Sequence, residues 1–314
     1  VFLVELTIQM MYWIYCRRNF TECRYSLRME KDIFREMFGF AGWNFLTTCA
    51  SMLSTQGVSI LLNMQFGPVI NASRGVASQI NGTVGAFHRN FTTALNPQIT
   101  KTYAAEDFEY VKRLVCKGAK FSYLAFFFIA LPCMIEINFF LSVWLKEVPA
   151  FAGIFVQLTL LNSLVEVLLN SSETLNKATG KIRNFQLIVS AAQFAILIAS
   201  YIALKVTANP ILVVAMANII YLLIFAPRIL VNKPYVGMTF GYYYKEVLQG
   251  IIMMSVISVA LSLLPLMFMS DGWMRLVTVG VVSSISIIIT SAIFVLTKGE
   301  RDMVVRFVKN KLKR

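Results

Sequence analysis

At 314 residues the chain is 57% hydrophobic and only 14% charged, with a mean hydropathy of +0.67. An ordinary soluble domain, about 25% charged, is excluded. The net charge of +13 would suit nucleic acid, but its distribution, traced below, assigns it to membrane topology instead.

Uncharged apolar runs of about 20 residues recur, the length that crosses a hydrocarbon core of roughly 30 Å. Barrel strands would alternate with a period of two, and these runs do not. The fold class expected is all-α: a polytopic transmembrane helix bundle. The first run, VFLVELTIQMMYWIYC, begins at Val1 and lacks the basic start and small-residue cleavage site of a signal peptide. It is short for a full span and reads as the tail of one (1–16), so the chain is expected to be the C-terminal part of something longer. A charged connector follows (17–37). Spans are expected at about 38–66, 70–98, 121–145, 151–174, 185–204, 211–230, 248–269 and 276–296. The amphipathic segments 106–117 and 302–314 are expected to lie on the membrane surface.

Most of the 29 Lys and Arg residues sit in alternate connectors: 17–37, 101–120, 177–184, 232–247 and the tail 297–314. The other connectors hold only Lys146, Lys205 and Arg275. By the positive-inside rule the basic set is cytoplasmic, and an even number of full spans returns the basic tail to that side. The opposite connectors are short turns around Gly67-Pro68, 146–150, 207–210 and 270–273. The five cysteines form no CxxC pair and no set at metal spacing, so they read as reduced, small apolar residues.

Polar seams carry the functional signal. Along 70–98, Asn71, Arg74, Ser78, Asn81, Gly85, His88 and Thr92 recur in steps of three or four, which stacks them on one helix face. Gln79, Thr83, Arg89, Asn90, Thr93 and Asn96 widen that face, and Pro97 could end or kink the helix. The preceding span has the stripe Asn44, Thr48, Ser51 and Thr55, with Gln56 and Asn63 beside it. The span from Phe151 carries Thr159, Asn162, Glu166, Asn170 and Glu173. Ser, Thr and Gly on such faces ordinarily pack helix on helix. That accounts for most of Thr47, Thr48, Ser51, Ser54, Ser78, Gly82 and Gly85.

Charge at membrane depth is a functional-site hypothesis by default. Snorkelling is the competing explanation for Arg74, near the end of its span, and a single hydrogen-bonded packing histidine is the competing one for His88. Arg89 is deeper. Glu166 reads as paired with a cation, and Arg89 is one candidate. An arginine fork matches phosphate, so the candidate substrate-binding set is Arg74, Arg89, His88, Asn71, Asn81, Gln79, Asn90, Gln56, Asn63 and Glu166. No nucleophile–base constellation and no phosphate loop is visible, so the chain reads as no enzyme, and no cofactor or metal is expected.

The stretches AGWNFLTTCASMLSTQGVSILLN and FGPVINASRGVASQINGTVGAFHRNFTTALNPQITKTYA resemble the start of the second lobe of bacterial polysaccharide flippases. These are the Wzx-type transporters of lipid-linked oligosaccharide, within the multidrug/oligosaccharidyl-lipid/polysaccharide exporter superfamily. The resemblance implies a second transporter lobe of six helices over 38–231, preceded by the end of helix six (1–16). It also implies two extra helices over 248–296, and a first lobe that this sequence lacks. It implies translocation of an undecaprenyl-pyrophosphate-linked repeat unit for surface polysaccharide or lipopolysaccharide. The implied setting is a multi-pass protein of the bacterial inner membrane with its C-terminus in the cytoplasm. Its partners would be the anionic lipid-linked oligosaccharide, membrane lipids and the first lobe, with no nucleic acid. Two alternatives remain at this point. An ion-coupled drug exporter would favour acidic residues and a flat apolar pocket. A membrane glycosyltransferase or polymerase would need long outer loops or a cytoplasmic catalytic domain.

Overall fold

The computed structural model describes residues 2–20, 23 and 31–302. Every regular element among them is helical, with no strand. Most of the tail expected to be amphipathic, 303–314, lies outside the described residues. The chain divides into two compact units, 1–42 and 43–314.

The smaller unit holds α1 (Phe2–Asn19) and the beginning of α2 (Lys31–Phe66). No residue of α1 is buried, and Arg17 and Arg18 fall in its last turn, where cations complement the helix dipole.

The larger unit contains the rest of α2, then α3 (Pro68–Ala104), α4 (Phe108–Ile135), α5 (Ile137–Trp144) and α6 (Ala152–Ala178). Next come α7 (Arg183–Thr207), α8 (Pro210–Leu223), and the short helices α9 (Phe225–Leu230), α10 (Lys233–Val236) and α11 (Phe240–Tyr243). The chain ends in α12 (Gln249–Phe268) and α13 (Trp273–Thr290). Five-residue π-helical turns, Tyr244–Leu248 and Ser291–Val295, lead into α12 and out of α13.

Local chemistry sets the boundaries. Gly67 takes φ +77 between α2 and α3, a value that favours glycine, and Pro68 occupies the first helical turn. Asp107 and Asn209 cap α4 and α8 by accepting from the backbone N–H of Tyr110 and Ile211.

Seven helical stretches among the described residues are long and apolar enough to cross a membrane: Lys31–Phe66, Phe108–Ile135, Ala152–Ala178, Arg183–Thr207, Pro210–Val236, Phe240–Phe268 and Trp273–Val295. The protein is a multi-pass, all-α membrane protein. The expected span at 70–98 is a 37-residue helix, α3, which is long enough but too polar to join that set. Pro97 lies inside it and the helix runs on to Ala104.

Two further expectations are corrected. The segment 106–117 is not a separate surface helix: from Phe108 it is the first part of α4, with Val111, Leu114, Val115 and Cys116 buried in the core. The span expected at 121–145 is broken, with Glu136 standing between α4 and α5.

Helices α3, α4 and α6 form the centre, α8 and α9 pack on α6, and the α12–α13 pair packs on α4. The pattern inverts that of a soluble core. Met64, Met267 and Phe268 point outward, while Ser73, Ser122, Ser171, Ser172, Ser200, Ser258 and Ser283 are buried. Lipid is as apolar as Leu, so close packing and hydrogen bonds between small residues hold such helices together. Gly118 of α4 lies directly against Leu95 of α3 and Ser171 of α6. Gly250 of α12 lies against the backbone carbonyl of Phe294.

Candidate functional site

A cavity of about 640 Å³ opens among α2, α3, α6, α7 and α8, in the half of these helices nearer Gly67. Its polar lining comes from the three stripes legible in the sequence. Helix α2 supplies Ser51, Thr55 and Gln56, α3 supplies Asn71, Arg74, Ser78 and Asn81, and α6 supplies Thr159 and Asn162. Two helices outside those stripes add Gln193 and Ser200 (α7) and Asn218 and Tyr221 (α8). Phe155, Leu158, Ile196, Val213 and Val214 complete the wall with apolar surface.

Arg74 is the single charged side chain in this lining, and no carboxylate accompanies it. Its Nη1 donates to Ser59 Oγ at 2.5 Å, so most of the guanidinium fork has no protein acceptor. Asn81 Oδ1 accepts from Ser163 Oγ at 2.8 Å, which ties α3 to α6. Gln193 Nε2 donates to Tyr221 Oη at 2.7 Å and ties α7 to α8. At the rim, Ser73 Oγ donates to the Ala150 carbonyl at 2.6 Å, which holds the turn before α6 over α3.

Of the ten candidate residues, the structure brings Gln56, Asn71, Arg74 and Asn81 together in the cavity. Asn63, Gln79, Arg89 and Asn90 are exposed on α2 and α3 outside it. Arg89 Nη2 donates to the carbonyl of Gly82 in its own helix, at 2.8 Å. His88 is 8% exposed, with its ring edge-on to Phe126 of α4 at 5.5 Å. Thr92, one turn on, bonds Ser122 of α4. The α3 stripe therefore divides: its first half lines the cavity and its second half packs on α4. The small residues divide too. Ser54 is buried, but Ser78 lines the cavity and Gly82 has open space beside it.

Glu166 does pair with a cation, but the cation is Arg228. Arg228 Nη1 donates to Glu166 Oε1, Nη2 lies 3.5 Å from Glu173 Oε2, and the guanidinium stacks over Phe185 at 5.4 Å. Glu173 also pairs with Lys177 at 2.8 Å. From sequence, Arg228 had been read at the edge of a cytoplasmic connector; it is 1% exposed. Below it Asn232 donates to Ser172 through both its hydroxyl and its carbonyl. The legible signal was two carboxylates seven residues apart on one face of α6, with one arginine just after an apolar run.

A second buried pair also escaped the sequence reading. Arg275 of α13 donates Nε and Nη2 to the two oxygens of Glu136, at 2.8 and 2.9 Å, and also to Asp271. The fork joins α13 to the break between α4 and α5. A second cavity, about 490 Å³ between α12 and α13, is lined almost entirely by apolar groups such as Leu261, Phe268 and Ile285. It offers no group to orient a polar ligand.

No group of three or more His, Cys, Asp or Glu placed to hold a metal ion occurs among the described residues. Compared with known proteins, the chain matches no family model, no curated protein and no solved structure.

Proposed function

We propose that this multi-pass protein is a transporter that carries a lipid-linked anionic oligosaccharide, an undecaprenyl-pyrophosphate-linked repeat unit, across the bacterial inner membrane for surface polysaccharide or lipopolysaccharide synthesis. The observation that carries this reading is the cavity lining: one arginine, no carboxylate, and many amides and hydroxyls, set among helices that can span a membrane. The guanidinium fork of Arg74 suits a phosphate oxygen pair. The amides and hydroxyls suit sugar. A cation-exporting drug pump would need a carboxylate where the cavity has none.

The basic connectors orient the protein with Lys181 and Lys233 in the cytoplasm, so the cavity opens in the periplasmic half. The exposed polar face of α3, with Gln79, Arg89 and Asn90, is unsuited to lipid and fits a first lobe that closes over it.

The test is transport. Proteoliposomes holding the protein should expose a fluorescent lipid-linked oligosaccharide to an added membrane-impermeant glycosidase faster than empty vesicles do. The Arg74→Gln protein should lose most of that rate while keeping its melting temperature. Equal rates with and without protein, with the first lobe supplied, would reject the reading.

A further inference from the structure

The cavity contains more unmet hydrogen-bonding capacity than an anion can use. Asn218 is 8% exposed, yet neither its Nδ2 nor its Oδ1 has a partner. Asn162 Nδ2 and Asn71 Oδ1 are likewise buried and unpartnered. These residues come from three helices, α8, α6 and α3, and line the same cavity. Buried polar groups are nearly always hydrogen-bonded, and each exception asks for an explanation.

We propose that Asn71, Asn162 and Asn218 form a neutral-sugar subsite that grips neighbouring ring hydroxyls, separate from the anion position at Arg74. It rests on the transport reading only in that the sugar would belong to the carried headgroup.

The chemistry selects the ligand class. The unmet atoms are two amide nitrogens, which donate, and two carbonyl oxygens, which accept. A phosphate or carboxylate only accepts, so it leaves the two carbonyls unmatched. A metal or ammonium ion engages the carbonyls and leaves the nitrogens unmatched. A pair of neighbouring hydroxyls donates and accepts at once, and meets both. The rest of the wall fits the same ligand. Phe155 and Tyr221 offer ring surface, and Val213, Val214 and Ala217 offer aliphatic surface, against which the C–H faces of a pyranose can lie. A volume of about 640 Å³ lies within the ordinary range for small-molecule sites, about 300–1,000 Å³. Arg74 is one turn from Asn71 on α3, so a phosphate and its attached sugar reach both positions together.

The experiment is binding of free, uncharged sugars to the purified protein in nanodiscs, read by saturation-transfer NMR. The probes are methyl glucoside, methyl galactoside and N-acetylglucosamine, with inorganic phosphate as a competitor. At least one sugar should bind saturably. Asn218→Leu should weaken that binding at least tenfold, and Asn162→Leu should do the same if the first variant does not fold. Arg74→Gln and added phosphate should each change it less than twofold. Absence of saturable binding by all three sugars would mean that water alone occupies the amide cluster, and would overturn the subsite. So would binding that survives the amide substitutions, or binding abolished by Arg74→Gln in a folded protein. The transport reading is judged separately. Sugar binding without lipid-linked transport rejects the transport reading and keeps the subsite. Transport without sugar binding does the reverse.

Discussion

Arg228 of α9 donates to Glu166 of α6 from a position only 1% exposed, and a second carboxylate, Glu173, stands two turns along the same helix. The pair fixes the short helix after α8 against the central helix of the bundle, below the cavity floor at Asn162. Removing one partner of a buried pair leaves an uncompensated charge, at a cost of about 3–5 kcal/mol, whereas removing both often costs far less. Glu166→Gln and Arg228→Gln should each lower the melting temperature in detergent, and the double variant should recover most of the loss. A double variant as unstable as the sum of the singles would show that the two side chains do not interact.

The Arg275–Glu136 fork makes a parallel prediction. Glu136 is 1% exposed at the point where α4 gives way to α5, and both of its oxygens are taken by one guanidinium. Lysine keeps the charge but cannot reproduce the planar fork. Arg275→Lys should therefore cost about 1.5–3 kcal/mol, the worth of one hydrogen bond to a charged group. Equilibrium unfolding would read this, and an unchanged midpoint would remove the fork as the tie between α13 and the α4–α5 break.

Gly250 tests the joint between the last two helices. A Cβ there would meet the Phe294 carbonyl oxygen and the Val295 backbone, inside the π-helical turn Ser291–Val295. Backbone cannot swing aside as a long side chain can. Gly250→Ala should destabilise by about 1–3 kcal/mol, the usual cost of overpacking. The control is Gly280→Ala in α13, where nothing lies within 4 Å. Equal melting temperatures for the two variants would contradict the close approach.

Orientation is checked by labelling. A cysteine at Lys181, exposed between α6 and α7, should react with an impermeant reagent only after the cells are opened. A cysteine at Ala208, exposed at the other end of α7, should react in intact cells. The reverse pattern would invert the topology drawn from the basic connectors.

The helices, their order and the polar faces of α2, α3 and α6 were legible because period and composition are local properties of the sequence. So was the meeting of Ser51, Asn71, Arg74 and Asn162, since polar faces in a membrane protein turn toward one another. What pattern could not supply was partnership across the bundle. Glu166 chose Arg228 over Arg89 because α9 folds back onto α6 after the break at Ile224. Gln193 and Asn218 escaped notice because each stands alone in an apolar run, with no stripe to mark it. His88 and Asn71 share a stripe by spacing but not a site, because the helix between them passes from the cavity to the α4 contact.

That division decides how the two arginines of α3 should behave. Arg74 and Arg89 are separated by fifteen residues, about 22 Å at helical rise, so one phosphate group cannot touch both in a single pose. Arg74 is in the cavity with most of its donors unused. Arg89 is outside it and leans on its own helix backbone. The expected result is a split. Arg74→Lys, which keeps the charge and loses the fork, should reduce transport with protein level and melting temperature unchanged, and Arg74→Gln should reduce it further. Arg89→Gln should leave anion binding in the isolated cavity unchanged, measured by competition of a sugar phosphate against its neutral parent. Since Glu166 belongs to Arg228, the double change Arg89→Gln with Glu166→Gln should be no more stable than Glu166→Gln alone. Rescue of stability by Arg89→Gln would reassign Glu166 to Arg89. Full transport by Arg74→Gln would take the anion position away from Arg74 and leave the cavity with sugar recognition only.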